Sequence, residues 1–148
     1  MKEFLDTALN TAETNGADYA DIRISRHKNQ SIRTREDRIQ GISNSESYGF
    51  GVRVLVDGTW GFAASHRLTK NNVADITMRA LDIARANRVV QRIPIRLAEV
   101  ESYVDQWSSP IKKDPFQVPI NEKIDLLLNV NAEALKVKGA KYCSSSML

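Results

Sequence analysis

The segment YGFGVRVLVDGTWGFAAS, residues 48–65, constrains the fold most, because its residues separate into two sets at every second position. One set is Tyr48, Phe50, Val52, Val54 and Val56, and the other is Gly49, Gly51, Arg53, Leu55 and Asp57. Asp57-Gly58 favours the positive φ angles of a two-residue type I′ turn, after which Trp60, Phe62 and Ala64 repeat the period of two. The segment therefore predicts an antiparallel β-hairpin.

The glycines of this segment raise the alternative of a phosphate-binding loop. A dinucleotide-binding fingerprint leads from a strand into a helix, whereas the residues after Gly51 continue the strand pattern, and no phosphate-loop lysine is present. We therefore interpret Gly49, Gly51 and Gly61 as positions where a helix or another backbone lies close to the sheet.

The same hairpin supplies the predicted core, which consists of Val52, Val54, Trp60 and Phe62. If a helix or another backbone lies close to Gly51, the change Gly51→Val should overpack the sheet and cost ~1–3 kcal/mol of stability.

Helical patterns bracket this strand-rich region. Apolar residues recur at helical spacing in residues 2–15, after the N-cap candidate Thr69, and from Ile120 to a stop at Gly139. Alternation predicts a strand around residues 20–24 and two more in residues 29–47, joined near Glu36-Asp37. We therefore predict an α+β fold, with an antiparallel sheet of about five strands and helices packed on one face.

Four prolines punctuate the weakly patterned stretch before the last helix and predict an extended arm or linker. We divide the chain into a helix, sheet and helix domain at 1–92, the arm at 93–119, and a further helix with the start of a strand at 120–148. The stretch AKYCSSSML ends on two large apolar residues without a polar tail. We therefore expect the chain to lead into a C-terminal domain.

Composition narrows the cellular setting and the possible partners. The net charge of +3 is far from that of a dedicated nucleic-acid binder. The single Cys143 cannot form an intrachain disulfide, and neither a signal-peptide core nor a run long enough for a membrane span is present. These features favour the cytoplasm.

Few residues offer catalytic or metal-binding chemistry. His27, His66 and Cys143 lack the close spacing of zinc ligands. Ser65, His66 and Asp57 are the residue types of a catalytic triad, but no nucleophile elbow surrounds the serine, so we do not interpret them as one. We therefore predict no catalytic residue and no metal ligand in this chain.

A basic stretch in residues 23–38 is the main candidate for a binding surface. Its cations are Arg23, Arg26, Lys28, Arg33, Arg35 and Arg38, against two acidic residues. A cationic strand could follow a phosphate backbone, but this stretch lacks the aromatics on which nucleic-acid bases stack. We therefore favour the interpretation of a solvated sheet face, or of a sheet edge that its charge keeps from aggregating.

Four blocks in the order GADYADIRI, SIRTREDRIQGIS, GFGVRVLVDGTWGFAAS and LTKNNVADITMRALDIARA resemble the N-terminal domain of the TldD/PmbA family, also described as modulators of DNA gyrase. The most specific part is the GVRV strand with its DG turn and WGFA return. The signature positions, which we predict to be structural, are Gly49, Gly51, Arg53, Asp57, Gly58, Trp60, Gly61 and Phe62.

The resemblance implies a zinc metallopeptidase. TldD-type members carry an H-E-x-x-x-H motif whose glutamate acts on a zinc-bound water, and zinc lowers the pKa of that water. The motif is absent from these residues. We therefore expect zinc in the full-length enzyme, none in this chain, and no activity of this chain alone. Partner-type members lack the motif, and both types remain open.

The resemblance also implies partners, namely unfolded peptide substrates and a homodimer or a heterodimer with a family paralogue, without a membrane. We predict a noncatalytic domain that helps form the substrate cleft and the dimer and holds peptide by strand addition. The alternatives are a regulatory module that binds DNA gyrase or nucleic acid without peptidase activity, and a purely structural dimerisation domain.

Overall fold

Helices and strands follow one another in an α+β order. The computed structural model describes residues 2–99 and 101–148. Its elements are α1 (Lys2–Thr14), β1 (Tyr19–Arg35), β2 (Arg38–Val56), β3 (Thr59–Ser65), α2 (Lys70–Asn87), a 3-10 helix (Pro115–Gln117), α3 (Ile120–Leu135) and β4 (Ser144–Met147). The strands form one antiparallel sheet in the order β3-β2-β1-β4. The predicted α+β class is confirmed.

The sheet has four strands in the described part of the chain, where the sequence predicted about five. The two strands predicted before Glu36 are continuous in β1, and the two predicted after it are continuous in β2. Polar side chains between the apolar segments do not end a strand, because the ladder is made by main-chain groups. Across this polar stretch, Gln30 Nε2 donates to Asn44 Oδ1 at 2.9 Å.

Local signals predicted the N-cap of α2 and the hairpin turn correctly, whereas α3 ends at Leu135, before the predicted stop at Gly139. Thr69 caps α2 by accepting a hydrogen bond from the Asn72 N–H at 3.3 Å. Asp57 and Gly58 have φ angles of 48° and 74°, and the pairing of Val56 with Thr59 leaves these two residues as the loop between β2 and β3. Positive φ at both central residues is the geometry of a type I′ turn.

Contacts group the chain into two compact units. The first unit is Met1–Arg26 with Ser47–Ser102, and the second unit is His27–Glu46 with Tyr103–Leu148. Strands β1 and β2 contribute residues to both. The division at 1–92, 93–119 and 120–148 follows chain order instead, and it stays a prediction about domain limits.

The core of the first unit lies between β2, β3 and the helices α1 and α2. Val52 and Val54 are 1% and 0% exposed, which confirms their predicted burial. The rest of this apolar cluster is Ala8, Ala12, Phe50, Val56, Ala63, Val73, Ala80, Leu81 and Ala84. Burying these side chains supplies the main driving force for folding this unit.

The predicted burial of Trp60 and Phe62 is wrong. Phe62 is 59% exposed and Trp60 is only half-buried, because β3 turns its other face toward α2. That face carries Gly61, where an added Cβ would lie 1.9 Å from the Ala80 carbonyl oxygen. The helix backbone approaches so closely that small residues must face it.

The second unit has a more polar interior. Ile32 and Leu127 are buried together with the polar side chains of Thr34, Lys123 and Asn131. Strand β4 pairs with the end of β1, with Thr34 opposite Ser145.

Residues 93–99 and 101–114 contain neither helix nor strand, and the 3-10 helix follows them. The extended arm at 93–119 stays a prediction, and its last part contains the 3-10 helix. In residues 2–99 and 101–148, no helix is both long and apolar enough to cross a membrane.

Candidate functional site

The face of the β2–β3 hairpin that points away from α2 carries a cluster of aromatic and charged side chains. The Arg53 guanidinium lies over the Trp60 ring at 4.7 Å from its centroid. The Tyr19 ring meets the Trp60 ring edge-to-face, with 5.8 Å between the centroids. Cation–π and edge-to-face contacts of this kind stabilise exposed aromatic clusters.

Asp21 neutralises the charge of this cluster. Arg53 Nε donates a hydrogen bond to Asp21 Oδ2 at 2.8 Å, and Arg53 Nη2 forms an ion pair with the same oxygen at 2.7 Å. The hydrogen bond to Asp21 raises the pKa of Arg53 above its usual value, and partial burial opposes that increase. The Arg53 guanidinium therefore already has a carboxylate partner in Asp21.

The three interpreted glycines differ in what they approach. At Gly49 an added Cβ would lie 2.8 Å from the Ser65 carbonyl oxygen, so this glycine permits a close backbone approach, as Gly61 does. At Gly51 the nearest atoms belong to the Phe62 ring, at 2.8 and 2.9 Å. The expected backbone contact at Gly51 is therefore wrong, because a side chain covers that glycine instead.

The Asp57-Gly58 turn is fastened to the chain that follows α2. Asp57 forms an ion pair with Arg88, and the Gly58 carbonyl oxygen accepts a hydrogen bond from the Ile95 N–H at 2.8 Å. Asp57 and Gly58 thus both contact the segment that follows α2, and the structural role of the signature positions stays a prediction.

The cations of the basic stretch are divided between the two units. Arg23 and Arg26 belong to the first unit, and the others belong to the second. In the second unit, Lys28 lies 5.8 Å from the Phe116 ring centroid, whereas Arg33 alternates with the buried Ile32 and Thr34 and is exposed. Strand alternation therefore directs Lys28 and Arg33 to opposite faces of β1.

Three arginines of the basic stretch each lie close to one carboxylate. The pairs are Arg23–Asp21 at 3.7 Å, Arg35–Glu36 at 3.9 Å and Arg38–Asp37 at 3.6 Å. Exposed pairs of this length add little stability, but they lower the local excess of positive charge.

Strand addition was predicted from the sequence, but the edge of β3 was not identified as its location. Counting from the hydrogen-bonded pair Val56–Thr59 at the turn, the main-chain groups of Trp60, Phe62 and Ala64 point away from β2. The Trp60 carbonyl oxygen accepts a hydrogen bond from Asn87 Nδ2 at 3.3 Å. In the described part of the chain, the N–H and C=O groups of Phe62 and Ala64 have no such partner.

A groove of about 250 Å³ runs beside this edge. Its lining residues are Phe62, Ala63, Ala64, Arg79 and Ile83, so one wall is β3 and the other is α2. Unpaired strand edges are templates for pairing with another chain. The sequence held one usable signal, because a hairpin strand followed directly by a helix can remain at the edge of its sheet.

The other chemical candidates have structural surroundings. Ser65 Oγ accepts hydrogen bonds from Asn72 Nδ2 at 2.9 Å and from the Arg67 N–H at 3.2 Å, so it stabilises the loop before α2. Among residues 2–99 and 101–148, no three His, Cys, Asp or Glu side chains come together where they could hold a metal ion. The described residues therefore do not fit a zinc site.

Comparison with known proteins gives consistent similarities. Residues 20–87 match the family described as PmbA/TldA metallopeptidase domain 1. A metalloprotease of Methanocaldococcus jannaschii is 29% identical over 129 residues, which cover 84% of this chain and 29% of that relative. The zinc metalloprotease TldD homolog of Saccharolobus solfataricus is 32% identical over 81 residues, which cover 55% of this chain and 18% of that relative.

The fold has a counterpart among solved structures. A protein of Bacteroides thetaiotaomicron described as a candidate modulator of DNA gyrase superposes with a TM-score of 0.69 at 20% identity, covering 98% of this chain and 33% of that protein. This likeness concerns the fold alone. The chain spans 29% or less of the two curated relatives described above. The matched residues 20–87 take in nearly all of β1 together with β2, β3 and α2, and over this part the chain is similar to the first domain of the PmbA/TldA metallopeptidase family.

Proposed function

We propose that this chain is the noncatalytic, peptide-holding domain of a cytoplasmic zinc metallopeptidase that degrades or matures unfolded peptides. The observation that carries the proposal is the open edge of β3, where the main-chain groups of Phe62 and Ala64 point outward beside a groove. The edge lies in the segment that matches the metallopeptidase family.

Strand addition suits such an edge. An extended peptide placed beside β3 would meet four unpaired main-chain groups, the N–H and C=O of Phe62 and of Ala64. Main-chain hydrogen bonds do not depend on the peptide's side chains. They therefore suit an enzyme that accepts unfolded chains of varied sequence.

Catalysis would depend on residues outside this chain. The relative from Saccharolobus solfataricus is named a zinc metalloprotease, whereas the described residues here do not fit a metal site. In the proposal, other parts of the full-length enzyme hold zinc, and this chain alone is inactive. The domain would line the substrate cleft and contribute to a homodimer or a heterodimer with a paralogue.

The change Ala64→Pro tests strand addition in this chain. Proline removes the outward N–H of residue 64 and leaves the hydrogen bonds between β2 and β3 intact. Binding of a labelled neutral peptide, Gly-Ser-Val-Gln-Val-Ser-Gly, is measured by fluorescence anisotropy. We expect Ala64→Pro to weaken binding about tenfold, through one lost hydrogen bond and a blocked edge.

Ala64→Val is the matched control, because it enlarges the same exposed side chain and keeps the N–H. Its affinity should stay within about threefold of that of the original chain. In binding free energy, this difference is about half of that for a tenfold change in affinity. Equal affinity of the proline variant and the original chain, at unchanged melting temperature, would contradict the proposal. Absence of binding to the original chain would do the same.

The alternative of a nucleic-acid or gyrase-binding module has less support, because the basic residues face both sides of β1 and three of them lie near carboxylates. Salt distinguishes the two functions. Binding to phosphates weakens steeply with ionic strength through counterion release, whereas strand addition of the neutral peptide does not.

A further inference from the structure

The side chain of Arg79, on α2, lines the groove between β3 and α2, which we call the β3 groove. The proposed function gives this cation no role. It is exposed, and among the described residues it has no ion-pair partner. The nearby arginines of the same unit differ in this respect, since Arg85 contacts Asp82 and Arg88 contacts Asp57. Arg79 is thus available to a ligand in the groove.

The geometry of strand pairing determines which peptide residue would meet Arg79. Residues directly opposite each other on paired strands direct their side chains to the same face of the sheet. Ala63 faces α2 and is buried, so a peptide residue opposite Ala63 also faces α2, where Arg79 and Ile83 line the groove.

The flanking peptide residues have a different environment. They lie opposite Phe62 and Ala64, and alternation directs them to the face that carries the exposed Phe62 ring. Apolar side chains at these two positions would gain contact area with Phe62.

Asn87 limits the register of the added strand. Its side-chain amide donates to the Trp60 carbonyl oxygen at 3.3 Å and so occupies the outward acceptor nearest the turn. The unpaired groups begin at Phe62 and continue to Ala64. A peptide that pairs with both of these residues necessarily places its middle residue opposite Ala63.

We propose that the β3 groove selects extended peptides with an acidic residue opposite Ala63, flanked by apolar residues, and that Arg79 recognises the carboxylate. This specificity rests on the proposed function, because it requires the peptide to add to β3. The charge complementarity favours a carboxylate over a neutral or basic side chain, and Ile83 contacts the aliphatic part of that side chain.

The test compares two labelled peptides, Gly-Ser-Val-Glu-Val-Ser-Gly and its glutamine counterpart, by fluorescence anisotropy at low ionic strength. The original chain should bind the glutamate peptide about two- to fivefold more tightly, the range expected for an exposed ion pair. Arg79→Gln should remove this preference and leave the affinity for the glutamine peptide unchanged. Added salt should reduce the preference in the original chain.

Arg92→Gln is the matched control, because Arg92 is an exposed arginine of the same unit that does not line the groove. It should retain the preference for glutamate. Equal binding of both peptides to the original chain would overturn the role of Arg79 and leave strand addition standing. A preference that survives Arg79→Gln, or that disappears in Arg92→Gln, would also overturn it. If neither peptide binds, strand addition itself fails, and the specificity fails with it.

Discussion

The two compact units fill their interiors in different ways. In the first unit, apolar side chains meet across a helix–sheet interface so close that Gly61 faces the backbone of α2. In the second unit, Asn131 is completely buried and donates from Nδ2 to Thr34 Oγ1 and to the Glu36 carbonyl oxygen, each at 3.0 Å. Cys143 Sγ donates to the Asn131 side-chain oxygen at 3.3 Å.

This difference implies different sensitivities to substitution. A close-packed apolar interface has no room for added atoms, so it is sensitive to an increase in volume. A buried polar side chain that satisfies several groups is sensitive to removal, because its former partners lose their hydrogen bonds inside the protein. The first unit should therefore be most sensitive to added volume at Gly61, and the second unit to truncation at Asn131.

The largest effect is expected for Gly61→Ala. The new Cβ would lie 1.9 Å from the Ala80 carbonyl oxygen and 2.7 Å from the Ala84 nitrogen, so α2 must move away from the sheet. We expect a loss of about 3 kcal/mol or more in the free energy of unfolding, at the upper end of overpacking effects. Urea denaturation measures it.

Gly51→Ala is the matched control for that prediction. Its Cβ would be crowded by the exposed Phe62 ring, at 2.8 and 2.9 Å, and would make an ordinary contact with the Ala64 Cβ at 3.8 Å. Because the Phe62 ring can rotate away, the loss should stay below about 1 kcal/mol. The same reasoning places Gly51→Val at the lower end of the ~1–3 kcal/mol expected from the sequence. Equal losses for Gly61→Ala and Gly51→Ala would show that the helix–sheet approach is not rigid.

The next largest effect is expected for Asn131→Ala. Removing the amide leaves the Glu36 carbonyl oxygen and the Cys143 thiol without this partner, at a cost of about 2–3 kcal/mol. Hydrogen exchange should show lost protection in α3 and retained protection in α2. The exposed Asn129→Ala is the control and should change stability by less than about 0.5 kcal/mol. A similar loss of protection in α2 and α3 would remove the distinction between the units.

The smallest effect is expected for Arg53→Gln in the aromatic cluster. The change removes the cation over Trp60 and the two contacts with Asp21, which together stabilise by about 1 kcal/mol. The midpoint of urea denaturation measures the loss. Arg23→Gln is the control, because Arg23 contacts the same carboxylate at 3.7 Å with its side chain 78% exposed. If Arg23→Gln shifted the midpoint of urea denaturation as much, the effect would come from the change in net charge and not from the contacts of Arg53.

Particular elements show why some predictions held and others did not. Thr69 and the Asp57-Gly58 turn act through bonds and angles within a few residues, so their structures follow from local sequence. Trp60 and Phe62 alternate correctly as strand residues, but alternation defines two faces without stating which face meets the helices. Their larger apolar side chains made the exposed face appear to be the core.

The candidate site was harder to predict than the fold. Arg53 and Trp60 were selected as signature residues, yet their contact with each other and with Asp21 depends on three strand segments lying side by side. The groove beside β3 depends further on where α2 crosses the sheet, which brings Arg79 next to Ala63. Neither the contacts of Arg53 nor the position of Arg79 next to Ala63 produces a periodic pattern in the sequence.

The sequence by itself determined the α+β class, the helices, the type I′ hairpin and the family resemblance, because caps, turns and alternation act over a few residues. Only the tertiary structure decided that four strands form the described sheet and that Gly61 rather than Trp60 faces α2. It also decided that the outward groups of Phe62 and Ala64 have no partner among residues 2–99 and 101–148. These features depend on contacts between residues distant in the chain. Burial and exposure follow from which surfaces meet, and the local pattern is the same on either side of a strand.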